Sequence, residues 1–180
     1  MIYNDNNRKK TEENTQKMKT VIVYYSLEGN TEYAAKMASE VSGADTLRLV
    51  PKKRYRDKGF AKFFFGGKSA FMGEEPELEE YSLDLSEYDR VVLGFPVWAA
   101  TFAPPMRTFM AQNKEKLKGK RVSAFACQSG EGNTKKFIKL KSFLGIDDLE
   151  FEAEFVDPLS KRSDGKDEAI RAFGKKLVLK

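Results

Sequence analysis

A chain of 180 residues, 41% hydrophobic and 33% charged, can bury one substantial core and keep a well-solvated surface. Lys and Arg number 32 against 27 Asp and Glu, a net charge of +5. There is no histidine and a single cysteine, Cys127, which excludes histidine-based nucleophilic catalysis, the commonest metal ligand and an intramolecular disulfide framework.

No apolar run approaches the roughly 20 residues of a membrane span. With one thiol the composition fits a reducing, cytoplasmic location. Chemistry is expected from a bound organic cofactor, with no metal.

Residues 1–18 are polar and Asn-rich and read as a flexible extension, or alternatively as a partner-binding tail. Residues 19–180 read as the folded domain. Residues 21–25 are apolar, β-branched and aromatic, as in a buried strand. Residues 30–42 have helix spacing and end at Gly43. A second strand spans 46–50 and stops at Pro51; a third, apolar throughout, spans 90–95. A helix follows over 104–113, its prolines in the first turn. Strand four is 121–127, helix 134–144 ends at Gly145, and 149–156 alternates apolar and acidic residues like an edge strand. A closing helix spans 164–179. Such βα alternation predicts an α/β fold, a doubly wound parallel sheet covered on both faces. Its ligand cleft lies beyond the strands' carboxyl ends, where the strand order reverses.

Residues 51–89 form a long insert between strands two and three. Within it Phe60, Phe63 and Phe64 share a helical face. That favours a helix packed on the sheet over a lid that carries Gly66-Gly67 to a ligand. The insert is basic from Lys52 to Lys68 and acidic from Glu74 to Asp89. A solvated surface is the simpler reading; nucleic acid or an acidic partner is the alternative.

Several motifs fail. Gly67-Lys68-Ser69 lacks the upstream glycine of a P-loop, where Lys62 stands. Gly130-Glu131-Gly132 has Lys135 in place of a dinucleotide fingerprint's third glycine. A cysteine-phosphatase loop from Cys127 would need arginine where Asn133 stands, so an inert thiol is expected.

Three strand-end loops remain. Ser26-Leu27-Glu28-Gly29-Asn30-Thr31 joins the first strand to a helix start. Its backbone N–H groups and hydroxyls converge beside a positive helix end, a cradle for a phosphate monoester without Lys or Arg. Pro96-Val97-Trp98-Ala99 holds the sole tryptophan, a flat face for a planar ring or else a plug in the crevice. Cys127-Gln128-Ser129-Gly130, with Gly132 beyond, suits close backbone approach to a ring edge rich in donors and acceptors. Together they describe a mononucleotide with a flat polar base.

On these motifs and this element order, the chain from about residue 19 to 179 resembles the flavodoxin-like FMN-binding family. The resemblance implies a flavodoxin-like, five-stranded doubly wound sheet and FMN as cofactor. It places Ser26, Asn30, Thr31 and the backbone N–H groups of Glu28 and Gly29 at the phosphate, with Leu27 in the same cofactor-binding loop. Pro96, Val97, Trp98 and Ala99 would meet the isoalloxazine ring, with Cys127, Gln128, Ser129, Gly130 and Gly132 at its other side. Two features depart from the family: Glu28 replaces a hydroxyl residue, and the chain is basic where flavodoxin carriers are acidic. The implied function is electron transfer, as a carrier or as an NAD(P)H-dependent FMN or quinone reductase, with NAD(P)H or a redox protein as partner. A non-catalytic docking protein or a basic nucleic-acid-binding module is the alternative.

Overall fold

The computed structural model describes residues 18–53, 55, 70, 72–130 and 135–179. The extension over 1–17 and the helix-or-lid question over residues 56–69 lie outside them. Five strands form a parallel sheet: β1 (Thr20–Tyr24), β2 (Asp45–Arg48), β3 (Arg90–Trp98), β5 (Arg121–Gln128) and β6 (Glu152–Val156). The strand order is β2-β1-β3-β5-β6. A sixth, two-residue strand, β4 (Thr101–Phe102), pairs antiparallel with the end of β3. The helices are α1 (Asn30–Ser42), α2 (Pro104–Lys118), α3 (Lys135–Leu144) and α4 (Asp164–Lys176).

Alternation along β1 sorts the core into two layers. Val21, Val23 and Tyr25 join Leu93, Phe95, Met106, Phe109 and Leu140 beneath α2 and α3. Ile22 and Tyr24 join Ala34, Ala38, Phe125, Ile170 and Phe173 beneath α1 and α4. Sequential β-branched residues buried on both sides are what a central parallel strand requires. Gly94 belongs to the same packing. A Cβ there would lie 2.4 Å from the Phe125 ring and 3.0 Å from Cβ of Tyr24.

Two readings need correction. Pro96-Val97-Trp98 is strand rather than loop, because β3 continues pairing with β5 through Pro96↔Cys127. Its pairing with β1 ends at Gly94, so Pro96 sits where no β1 carbonyl needs a donor. The chain then turns through Ala99 (φ 46°) and Ala100 (φ 58°) into β4, a hairpin without the usual Asn-Gly signal. Next, α2 runs five residues past the expected Asn113. Residues 114–118 are good helix formers, Leu117 is fully buried, and Lys116 and Lys118 suit the negative helix end. The charged stretches of the insert also meet in an exposed ion pair, as a solvated surface allows. The Lys52 N–H donates to Glu77 O at 2.9 Å, and the Lys52 ammonium lies 3.2 Å from the Glu77 carboxylate.

The amino edge of the sheet is held by a buried ion. Arg90, with a fully buried side chain, donates from Nη2 to Glu150 Oε1 at 2.8 Å and to Leu179 O at 3.0 Å. Its Nη1 donates to Leu177 O. Burial raises the Glu150 carboxyl, but the Arg90 and Arg121 guanidinium groups outweigh it and hold the group below its ordinary range. Glu150→Ala strands the buried cation and should destabilise the fold by about 3–5 kcal/mol, read from urea midpoints at pH 7. A depressed carboxyl contributes stability above its unfolded pKa and loses it as pH falls through the folded one. The wild type should therefore lose more stability than the variant on acidification below about pH 4; equal losses would remove Glu150 from this role.

Candidate functional site

At the carboxyl edge, where the order reverses between β1 and β3, the sheet opens into a cleft. Ser26, Leu27, Glu28, Asn30 and Thr31 line it after β1, Pro96 to Ala99 at the end of β3, and Cys127, Gln128 and Ser129 at the end of β5. The three segments singled out in the sequence thus converge on one site. Gly29 shapes the first and Gly130 follows the third; Gly132 lies outside the described residues.

The first loop is built around backbone donors. The Ser26 hydroxyl accepts from Gly29 N–H at 3.1 Å, closing the turn. Gly29 then takes φ 92° and precedes α1 with no side-chain cap. The first amides of a 13-residue helix are left facing the cleft end of the loop. A Cβ on Gly29 would meet Leu159 at 3.0 Å in a left-handed conformation. Glu28 is exposed at the rim.

Thr31 is 1% exposed and its hydroxyl makes no well-formed hydrogen bond. Such a group is normally satisfied. Its weak polar neighbour is the Cys127 thiol. Burial pushes that thiol up to about 12; the nearby Thr31 hydroxyl offsets this slightly and Asp157 adds to it. Asn30 faces the other way: its Oδ1 accepts from Leu159 N–H at 2.9 Å and Ser160 N–H at 3.2 Å. This ties the loop to the turn after β6 and leaves the amide nitrogen of Asn30 as its donor.

Trp98 is half-buried and held edge-on by two tyrosines. Its ring centroid lies 5.9 Å from Tyr25 and 5.1 Å from Tyr55, both T-shaped. The indole is thus fixed at the cleft wall by its neighbours. Tyr25 itself is buried, which pushes its phenol well above the ordinary range.

Asp157 was missed in the sequence. It lies in the turn after β6, is 7% exposed, adopts φ 42° and lines the cleft. Its N–H donates to Gln128 O at 2.9 Å, and its carboxylate lies 2.8 Å from Lys161. The loop after β1 carries no cation, but the turn after β6 brings an ion pair to the cleft. The signal was Val156-Asp157-Pro158, a strand followed by a turn-initiating pair at the ligand-facing edge.

Fold and cleft define a doubly wound α/β protein with its site at the switch in strand order. The sequence model of the flavodoxin family matches residues 19–147, and the chain belongs to that family. Among solved structures it is similar to a candidate flavoprotein from Bacteroides eggerthii, at 24% identity over 91% of this chain and 99% of that one, TM-score 0.68. A flavoprotein from Lactobacillus acidophilus, solved in complex with FMN, shares 22% over 76% and 93%, TM-score 0.65. Oxidised flavodoxin 1 from Bacillus cereus shares 18% over 89% and 97%, TM-score 0.50. At these identities the likeness shows the shared fold. Among the described residues, no helix is long and apolar enough to cross a membrane.

The buried thiol gives a direct check on the site's geometry. Burial holds Cys127 as the neutral thiol at pH 8. Native protein should not react with iodoacetamide over an hour at that pH, and should react fully in urea. Rapid native labelling would place the thiol outside the cleft floor.

Proposed function

We propose that this chain is an FMN-binding flavoprotein that transfers electrons. The observation that carries the reading is the unpaired, buried Thr31 hydroxyl beside the uncapped start of α1. A donor in that position is satisfied by an anionic oxygen, and a phosphate monoester supplies several. Leu27, Glu28 and Gly29 contribute backbone, while Ser26 shapes the turn and Asn30 offers its amide nitrogen. Asp157, which lines the same cleft, would accept from the hydroxyls of the polyol chain. Pro96, Val97, Trp98 and Ala99 would wall one side of the ring, and Cys127 to Gly130 the other. The buried Cys127 keeps this floor apolar and unreactive.

Bound FMN supplies one- and two-electron chemistry through its ring. The chain orients that ring, limits water at its buried edge and sets the charge around it. A basic chain makes negative charge on the reduced ring easier to hold than an acidic one would. The electron donor is NAD(P)H or a reduced protein, and the setting is cytoplasmic. Residues 1–18 are proposed as an extension to the domain at 19–180.

Purified protein should be yellow, or should take up FMN after stripping. Titration of the stripped form with FMN tests the anchor. Thr31→Val should weaken binding by about 1–3 kcal/mol through loss of a buried donor, and unchanged affinity would remove Thr31 from the phosphate. Trp98→Ala should shift the visible spectrum and relieve fluorescence quenching of bound FMN; an identical spectrum would make the indole a plug. Anaerobic NADPH then divides the two modes: direct bleaching marks a reductase, and bleaching only with an added reductase marks a carrier.

A further inference from the structure

Behind the Gln128 end of the cleft lies a buried polar cluster. Lys136 is fully buried in the first turn of α3, where helix dipole and desolvation both oppose a cation. Its ammonium donates to one oxygen of Glu154, on β6. The other oxygen of Glu154 accepts from the side-chain amide of Gln128, at the end of β5. The same Gln128 nitrogen also donates to Gly130 O. Replacing a buried ion pair by apolar residues of equal volume is often neutral for stability, so such a pair invites a role beyond holding the fold.

The cluster settles which way Gln128 points. Both of its partners, a carboxylate and a peptide carbonyl, are acceptors, so the amide nitrogen must face them. Both amide hydrogens are thereby used. Among the described residues no group donates to the amide oxygen, and Gln128 lines the cleft. What this side chain keeps in reserve is an acceptor.

We infer that the Lys136–Glu154 pair is a positioning device that holds Gln128 so that the cleft offers a hydrogen-bond acceptor to a ring N–H of its ligand. The inference rests on the FMN reading above and deepens it. The isoalloxazine ring carries one permanent donor on its pyrimidine edge, the imide N3–H flanked by two carbonyls. An amide free to rotate would offer donor or acceptor indifferently. Gln128, held by Glu154, selects a ring with an N–H at that edge. It is a specificity residue, and Glu154 and Lys136 act through it.

The test uses the full-length protein stripped of flavin and two probes, FMN and N3-methyl-FMN, titrated by fluorescence. The wild type should prefer FMN. Gln128→Met should weaken FMN about 5-fold, one neutral hydrogen bond, and reduce the preference over the methylated probe by a similar factor. The double variant Lys136→Met with Glu154→Leu should reduce it likewise while urea midpoints stay near wild type. Should that variant not fold, Glu154→Gln replaces it as the readout. Its amide keeps the volume but can turn a donor toward Gln128, inverting that side chain, and the preference should again fall. A preference unchanged in Gln128→Met is steric and overturns the inference. A preference lost there but kept in both Glu154 variants that fold removes the pair from its positioning role. Failure of the wild type to bind FMN at all would sink the cofactor assignment, and this inference with it.

Discussion

The molecule depends on where β1 sits. It is buried on both faces and paired on both sides, to β2 through the crossover of α1 and to β3 through the long segment that follows β2. The chain therefore leaves β1 in one direction and builds the rest of the sheet in the other. No connection can cover the carboxyl end at that reversal, so a cleft opens there. Every functional feature described above is a strand end delivered to that gap. The fold supplies the concavity, and the loops supply its chemistry.

The cleft holds charge in an uneven way. The loop after β1 offers helix amides and hydroxyls, which are fixed dipoles and need no counter-ion. Two ion pairs flank the cleft: Asp157 with Lys161 at its wall, and Glu154 with Lys136 behind it. Gln128 meets both acidic residues, its backbone carbonyl accepting from the Asp157 N–H and its side-chain amide donating to the Glu154 carboxylate. A single residue at the end of β5 is thus held by backbone on one side and side chain on the other. Such rigidity separates a ligand-reading contact from a surface that merely tolerates a ligand.

Much of this was legible in the sequence because it is local. The strands of the sheet announced themselves through β-branched runs, the helices through spacing and terminal glycines, and the first loop through its order of residues. The hairpin of β3 and β4 was hidden because Pro96 looks like a strand breaker and Ala99-Ala100 carries no turn signal. Both become explicable only once β1 is seen to end at Tyr24. Glu154 reads as an ordinary acidic member of an edge strand, and Asp157 falls just beyond it. Glu154 meets Lys136 18 residues away and Gln128 26 residues away along the chain, and no short window on the sequence connects them. The reach of α2 to Lys118 was readable in principle, since its last turn has good helix formers and favourable end charges.

Arg90 grips the carbonyls of Leu177 and Leu179 at the edge of the sheet farthest from the cleft. Durability and recognition therefore occupy opposite poles of the molecule. The cleft loops can accumulate change without loosening the clamp, so recognition can drift while robustness is inherited intact. The same separation makes Leu177 to Leu179 intolerant of change and the rim of the cleft a forgiving place to retool.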